Sequence, residues 1–238
     1  MTRPLIGITS EMAAAGWGDR VREAVLLPAS YGWAVQRAGG NPVLLVPGPY
    51  RAADLAARLD GVVFSGGVGA GARRHGAPPR DEAPEPDLAR EASELALMRA
   101  AIDTGLPVLA IGRSMYLLNA ARGGSVTERG PAGPGANGLT AGPAGREVRI
   151  SAGSRLGRLL GPTVTVPAAP EPAGRHRVLD RLGRGVEAVA WTDDKAVAAV
   201  ELTGHPFAIG LQWHPEEDGG ARLFEELKEA ASGRPAAA

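Results

Sequence analysis

Short runs of β-branched and apolar residues recur along the first half of the chain, at Leu5–Thr9, Pro42–Val46, Gly61–Phe64 and Pro107–Ile111, each of strand length. Between them the apolar positions change to a helical period over Ala29–Ala38, Asp54–Leu59, Leu88–Thr104 and Met115–Arg122, with glycine stops at Gly39-Gly40, Gly105 and Gly123. Strand and helix alternating in this way predict a parallel sheet with helices on both faces. Further strand-like runs at Val148–Ile150, Val186–Trp191, Ala196–Glu201 and Ala208–Gln212 follow more closely, without long helices between them. They predict an antiparallel extension, a return to the sheet, and a closing helix over Ala221–Ala231.

Two stretches break the pattern. Gly66–Asp87 is rich in glycine, arginine and proline, and Gly130–Gly145 is almost entirely Gly, Pro and Ala; both read as loops, since neither has the composition to pack a core. The sequence reads as one domain over residues 1–231 with a frayed tail at Ser232–Ala238 and no internal repeat. At 238 residues it is long enough to bury a substantial core without covalent staples.

Charge and cysteine usage narrow the chemistry. Twenty-six basic residues balance twenty-six acidic ones, so no overall field favours nucleic acid or an anionic membrane. The absence of cysteine excludes disulfides, thiolate metal sites, iron-sulfur clusters and every thiol nucleophile. Lysine occurs only at Lys195 and Lys228 amid many arginines, the codon bias of a GC-rich bacterial genome. The apolar run near the N-terminus is shorter than a signal-peptide core, and no stretch approaches the roughly 18 residues of a membrane span, so the expected location is cytoplasmic.

Three segments hold candidate chemistry. Val62-Val63-Phe64-Ser65-Gly66-Gly67 runs from a strand into a glycine turn, but the following glycines are not spaced as G-x-G-x-x-G and no G-K-[ST] follows. The turn therefore reads as exposing backbone N–H groups for a purpose other than nucleotide binding. Pro107–Asn119 is a buried strand turning at once into an apolar helix, the layout of a nucleophile elbow or of a plain strand-to-helix connection. Trp213-His214-Pro215-Glu216 ends another strand and sets a carboxylate two residues from an imidazole, where it can fix the tautomer; a surface histidine among acids is the other reading. His75, His176 and His205 stand singly with no metal-ligand spacing, so no metal and no cofactor is expected.

Taken together, these segments resemble the class I glutamine amidotransferase-like superfamily and, within it, the gamma-glutamyl-gamma-aminobutyrate hydrolase family. The resemblance runs nearly end to end. It is carried by Arg3–Thr9, Ala38–Leu45, Asp60-Gly61 through Gly67, Arg90, Glu91 and Glu94, Pro107–Asn119, Gly123-Gly124, Gly153–Leu156, Asp180–Gly183 and Gly210–Glu216. It implies a flavodoxin-like three-layer α/β/α fold. It also implies catalytic roles for His214 and Glu216, and an oxyanion site built from the backbone of Gly66, Gly67 and Arg113. His176, Tyr116 and His75 would lie on the substrate side.

The resemblance fails at the decisive atom. The family elbow reads G-I-C-R-G-M-Q, whereas this chain reads Ala110-Ile111-Gly112-Arg113-Ser114-Met115-Tyr116, which puts Gly112 at the nucleophile position. Ser114, two residues along the helix, is rotated by roughly 200° and is expected to point away from the lost thiol. The family's acidic G-G-G-D-V-D-P and Y-G-E segments appear as Gly66–Ala72 and His75-Gly76-Ala77, and its H-H-Q as Arg175-His176-Arg177, which suits an anionic or neutral small molecule better than an ammonium group. Two functions follow as expectations. One is a repurposed enzyme using His214 and Glu216 for acid-base chemistry on a small metabolite; the other is a non-catalytic relative that binds a metabolite or a partner protein. Homodimer formation is left open.

Overall fold

The computed structural model describes residues 2–67, 88–129, 145–167, 176–217 and 220–233. The strands β1 (Leu5–Thr9), β4 (Asn41–Leu45), β5 (Gly61–Phe64), β6 (Val108–Ile111) and β13 (Ala208–Leu211) lie parallel in the order β4-β1-β5-β6-β13. The sheet continues antiparallel through β12 (Val197–Leu202), β11 (Val186–Thr192), β8 (Arg146–Ile150) and β9 (Thr163–Val166), nine strands among the described residues. The flavodoxin-like α/β fold read from the sequence is thus present, with its antiparallel extension.

Alternate residues of the central strands serve two cores. Val63, Leu109, Ile111, Ile209 and Leu211 pack with Tyr31 and Val35 of α1 (Ala29–Arg37), Leu156 of α5 (Arg155–Leu160) and Leu223, Phe224 and Leu227 of α6 (Ala221–Ser232). Val62, Phe64, Val108 and Ala110 face the other way, onto Ala56 of α2 (Ala52–Ala56), Leu97, Met98 and Ala101 of α3 (Leu88–Asp103) and Met115, Leu117 and Leu118 of α4 (Arg113–Ala121). Burial on both faces is why these strands are continuous apolar runs rather than alternating ones.

Among the described residues two small sheets lie outside the central one: the hairpin β2 (Glu11–Trp17) with β3 (Arg20–Leu26), and β7 (Ser125–Arg129) with β10 (His176–Arg181). Periodicity predicts no strand in these places, nor α5 and β9. It also ends the last helix at Ala231 and assigns Ser232 to a tail, whereas α6 continues through Ser232, whose hydroxyl donates to Lys228 O at 2.9 Å. The segments 68–87 and 130–144, read as loops, lie outside the described residues.

The chain leaves β1 for β4 on one side and returns through β5 on the other, which makes the carboxyl ends of β1 and β5 a topological switch point. Thr9, Ser65, Gly112 and His214 all follow or end strands at this edge.

One buried side chain of α4 bonds to both strands of the β7–β10 sheet. Fully buried Asn119 in α4 donates through Nδ2 to Arg181 O at 3.0 Å and Ser125 O at 3.3 Å, and its Oδ1 accepts from Gly183 N at 2.8 Å. Asn119→Ala would strand these backbone groups, and the expected loss is about 1–3 kcal/mol. Urea unfolding should show a lower midpoint at unchanged slope.

Candidate functional site

The elbow forms at Gly112, which follows β6 and precedes the first residue of α4 with φ 60° and ψ −123°. A side chain here is strained, so the strand-to-helix reversal favours glycine unless function demands otherwise. A Cβ built on Gly112 would lie 3.3 Å from His214 Nε2, 3.5 Å from His214 Cε1 and 3.5 Å from Gly66 Cα. The imidazole therefore faces the elbow directly, and the Ser65-Gly66-Gly67 turn borders the same point.

His214 is held from behind. Its Nδ1 lies 2.6 Å from Glu216 Oε1, and the Glu216 side chain is fully buried. A carboxylate there requires the Nδ1–H tautomer, which leaves the Nε2 lone pair facing Gly112. The hydrogen bond to Glu216 raises the His214 pKa above its ordinary 6.5, with burial acting against it and the Glu216 and Glu217 charges adding to it. The Tyr31 hydroxyl lies 3.4 Å from His214 Nδ1 and accepts the Gly66 N–H at 2.9 Å. Burial pushes the Tyr31 pKa far above the usual phenol range, aided by the Glu216 charge, so the hydroxyl stays neutral.

The turn opposite His214 is clamped peptide by peptide. Ser65 N donates to Thr9 Oγ1 at 3.0 Å, Ser114 Oγ donates to Ser65 O at 2.8 Å, and Gly66 N is committed to Tyr31. Arg90 Nη2 donates to Gly66 O at 2.7 Å and to Ser65 Oγ at 2.9 Å. The Gly67 N–H has no acceptor among the described residues. Beneath the turn, the buried Glu94 carboxylate accepts from Arg90 Nε at 2.9 Å and pairs closely with Arg113.

The other candidates read from the sequence sit among these contacts. Of the two glycines expected to present an oxyanion site, Gly66 gives its N–H to the Tyr31 hydroxyl, and the Gly67 N–H has no acceptor among the described residues. The Arg113 side chain is buried against Glu94, while its backbone stands at the first turn of α4, where a helix leaves N–H groups without internal acceptors. The Ser114 hydroxyl is fully buried and supports the turn. Tyr116 donates to Arg177 O at 2.7 Å and accepts from Gln212 Nε2 at 2.5 Å, which ties β10 to α4. His176 begins β10 opposite Arg129. His75 lies outside the described residues.

A cavity of about 100 Å³ opens beside His214, lined by residues that include Glu11, Leu26, Tyr31, Gly67, Arg90 and Glu217. The anionic or neutral ligand expected from the sequence rests on residues 68–77 and 175–177, which are largely outside the described set. The described lining is acidic, and the Arg90 donors serve protein acceptors. His214, Glu216 and Glu217 bring potential metal-ligand atoms within 4.8 Å of one another. The Nδ1–Oε1 separation of 2.6 Å is nonetheless shorter than the roughly 3.3 Å between ligands of a tetrahedral site, so this pair is joined by a proton.

The sequence pattern assigns no role to Tyr31, Arg90 or Glu94. Arg90 and Glu94 are among the residues that carry the family resemblance, and the other signal is their spacing, an (i, i+4) pair of opposite charges on the buried side of the helix.

Residues 4–216 match the family model described as Peptidase C26. The chain belongs to that family. It is 34% identical over 239 residues to a provisionally named glutamine amidotransferase of Mycobacterium tuberculosis, covering 98% of this chain and 76% of that one. It is 28% identical over 202 residues to the gamma-glutamyl-gamma-aminobutyrate hydrolase PuuD of Escherichia coli, covering 77% and 75%. Among solved structures, a provisionally named GMP synthase subunit from Thermoplasma acidophilum superposes with a TM-score of 0.66 at 16% identity, over 98% of this chain and 96% of that one. That last likeness concerns the fold alone.

The raised His214 pKa has a definite sign. A folded value above the unfolded one stabilises the protein fully below 6.5 and ceases to do so as pH rises through the native value. An NMR titration of the His214 ring should give a midpoint above 6.5, and Glu216→Gln should lower it, because burial then acts without the carboxylate. An unmoved midpoint would mean that Glu216 does not set the ring's charge.

Proposed function

We propose that this protein is a repurposed member of its family in which His214, oriented by Glu216, performs acid-base catalysis on a small metabolite without a covalent intermediate. The observation that carries the reading is the His214 Nε2 position, 3.3 Å from where a side chain on Gly112 would begin, with its Nδ1 locked on a buried carboxylate. A chain without cysteine cannot form a thioester, and Gly112 supplies no other nucleophile.

In this reading a carbonyl-bearing substrate lies over Gly112. His214 Nε2 takes a proton from the substrate or from an attacking water and returns it to the leaving group, while Nδ1–H remains on Glu216. Charge developing on the carbonyl oxygen is met by the Gly67 N–H and by the amino end of α4. Tyr31, kept neutral by burial, holds the turn through Gly66 and adds no charge.

A non-catalytic binder is the second reading, favoured by the loss of the nucleophile itself. The two separate on product formation, measured with candidate acyl metabolites or by restoration of the metabolite pattern in a deletion strain. Glutamate release from glutamine or gamma-glutamyl-gamma-aminobutyrate should not exceed that of heat-killed protein. For the native reaction, His214→Ala should leave folding intact and lower turnover by roughly 10²–10⁴-fold, with a smaller loss for Glu216→Gln. Wild-type output from both variants would end the catalytic reading.

A further inference from the structure

We infer that Arg90 is a positioning residue that aims and strengthens the Gly67 N–H as a hydrogen-bond donor; its use on a developing oxyanion rests on the function proposed above.

Gly66 and Gly67 share one peptide unit. In a planar trans peptide the C=O and N–H point in opposite directions, so whatever fixes one fixes the other. Arg90 Nη2 donates to Gly66 O at 2.7 Å, which turns the Gly67 N–H away from the guanidinium. The turn also lies against the cation: a Cβ built on Gly67 would be 2.6 Å from Arg90 Nη1, and the φ of 128° there is one that glycine adopts readily. A charge-assisted bond to the carbonyl polarises the whole amide, and hydrogen bonds in series strengthen one another where water is excluded. The Gly67 N–H, without an acceptor among the described residues, is the end of that series.

The guanidinium has little freedom to do otherwise. Its side chain is nearly fully buried, Nε donates to Glu94 Oε1 at 2.9 Å, and Nη1 donates to Glu11 Oε2 at 2.9 Å. Two carboxylates on different elements thus hold the planar fork in one orientation, and Nη2 is left for Gly66 O and Ser65 Oγ. Lysine at this position keeps the charge but not the fork, so it cannot satisfy both carboxylates and the turn at once.

The test follows the peptide unit itself in the full chain, labelled with ¹³C and ¹⁵N. Arg90→Lys should move the Gly66 carbonyl carbon and the Gly67 amide nitrogen upfield, while the Gly66 amide, bonded to Tyr31, stays in place. Glu11→Gln, at the half-exposed end of the network, should shift the same two nuclei in the same direction by less, and it serves alone if Arg90→Lys does not fold. Unchanged shifts at Gly66 C′ and Gly67 N in a folded variant would overturn the inference. Formate, added as a small oxyanion probe, separates this from the proposed function. A saturable shift of the Gly67 amide in wild type, with affinity several-fold weaker in Arg90→Lys, supports both. No formate response in wild type would overturn the oxyanion role, while the carbonyl shifts still decide what Arg90 does.

Discussion

A single buried carboxylate spans the two halves of the site. Glu94 pairs through one oxygen with Arg90, which grips the Ser65-Gly66-Gly67 turn, and through the other with Arg113, the first residue after the elbow. The turn follows β5 and the elbow follows β6, adjacent parallel strands, so their spacing is set by the sheet and their orientation by this one group. Removing one member of such a cluster leaves an uncompensated charge in the core, at a cost of about 3–5 kcal/mol, and removing Glu94 itself frees both walls of the site together.

Across from that cluster, the imidazole is fixed by a second buried carboxylate. The two networks meet at Gly66, whose N–H is held by Tyr31 beside His214 and whose C=O is held by Arg90. The glycine at position 112 denies the site a nucleophilic side chain but relieves the strain that such a side chain would impose at φ 60°. The groups that orient the imidazole and those that fix the Ser65-Gly66-Gly67 turn do not depend on a side chain at this position.

How far the sequence disclosed the protein depended on how local each signal was. Gly61–Phe64 and Val108–Ile111 are buried on both faces, and their continuous apolar runs identified them to within a residue or so. The β2–β3 hairpin escaped because Met12-Ala13-Ala14-Ala15 has no alternation and because Trp17 and Val21 point to solvent. β7 and β10 are short, polar and paired across roughly fifty residues, beyond the reach of periodicity. His214 and Glu216 were legible because the dyad spans three residues of one segment. Tyr31 and Arg90 were not, since their partners lie up to 183 and 79 residues away and only the fold brings them together.

In the proposed function, an elbow built for a thiol stands intact around a glycine. Gly112→Cys tests this most directly, because the chain contains no other cysteine and any alkylation reports on one position. The rate of reaction with iodoacetamide against pH gives the pKa of the introduced thiol. A value well below the free-cysteine figure of about 8.5 is expected, returning toward it when His214→Ala is added. A thiol that titrates at about 8.5 or higher, indifferent to His214, would contradict the account.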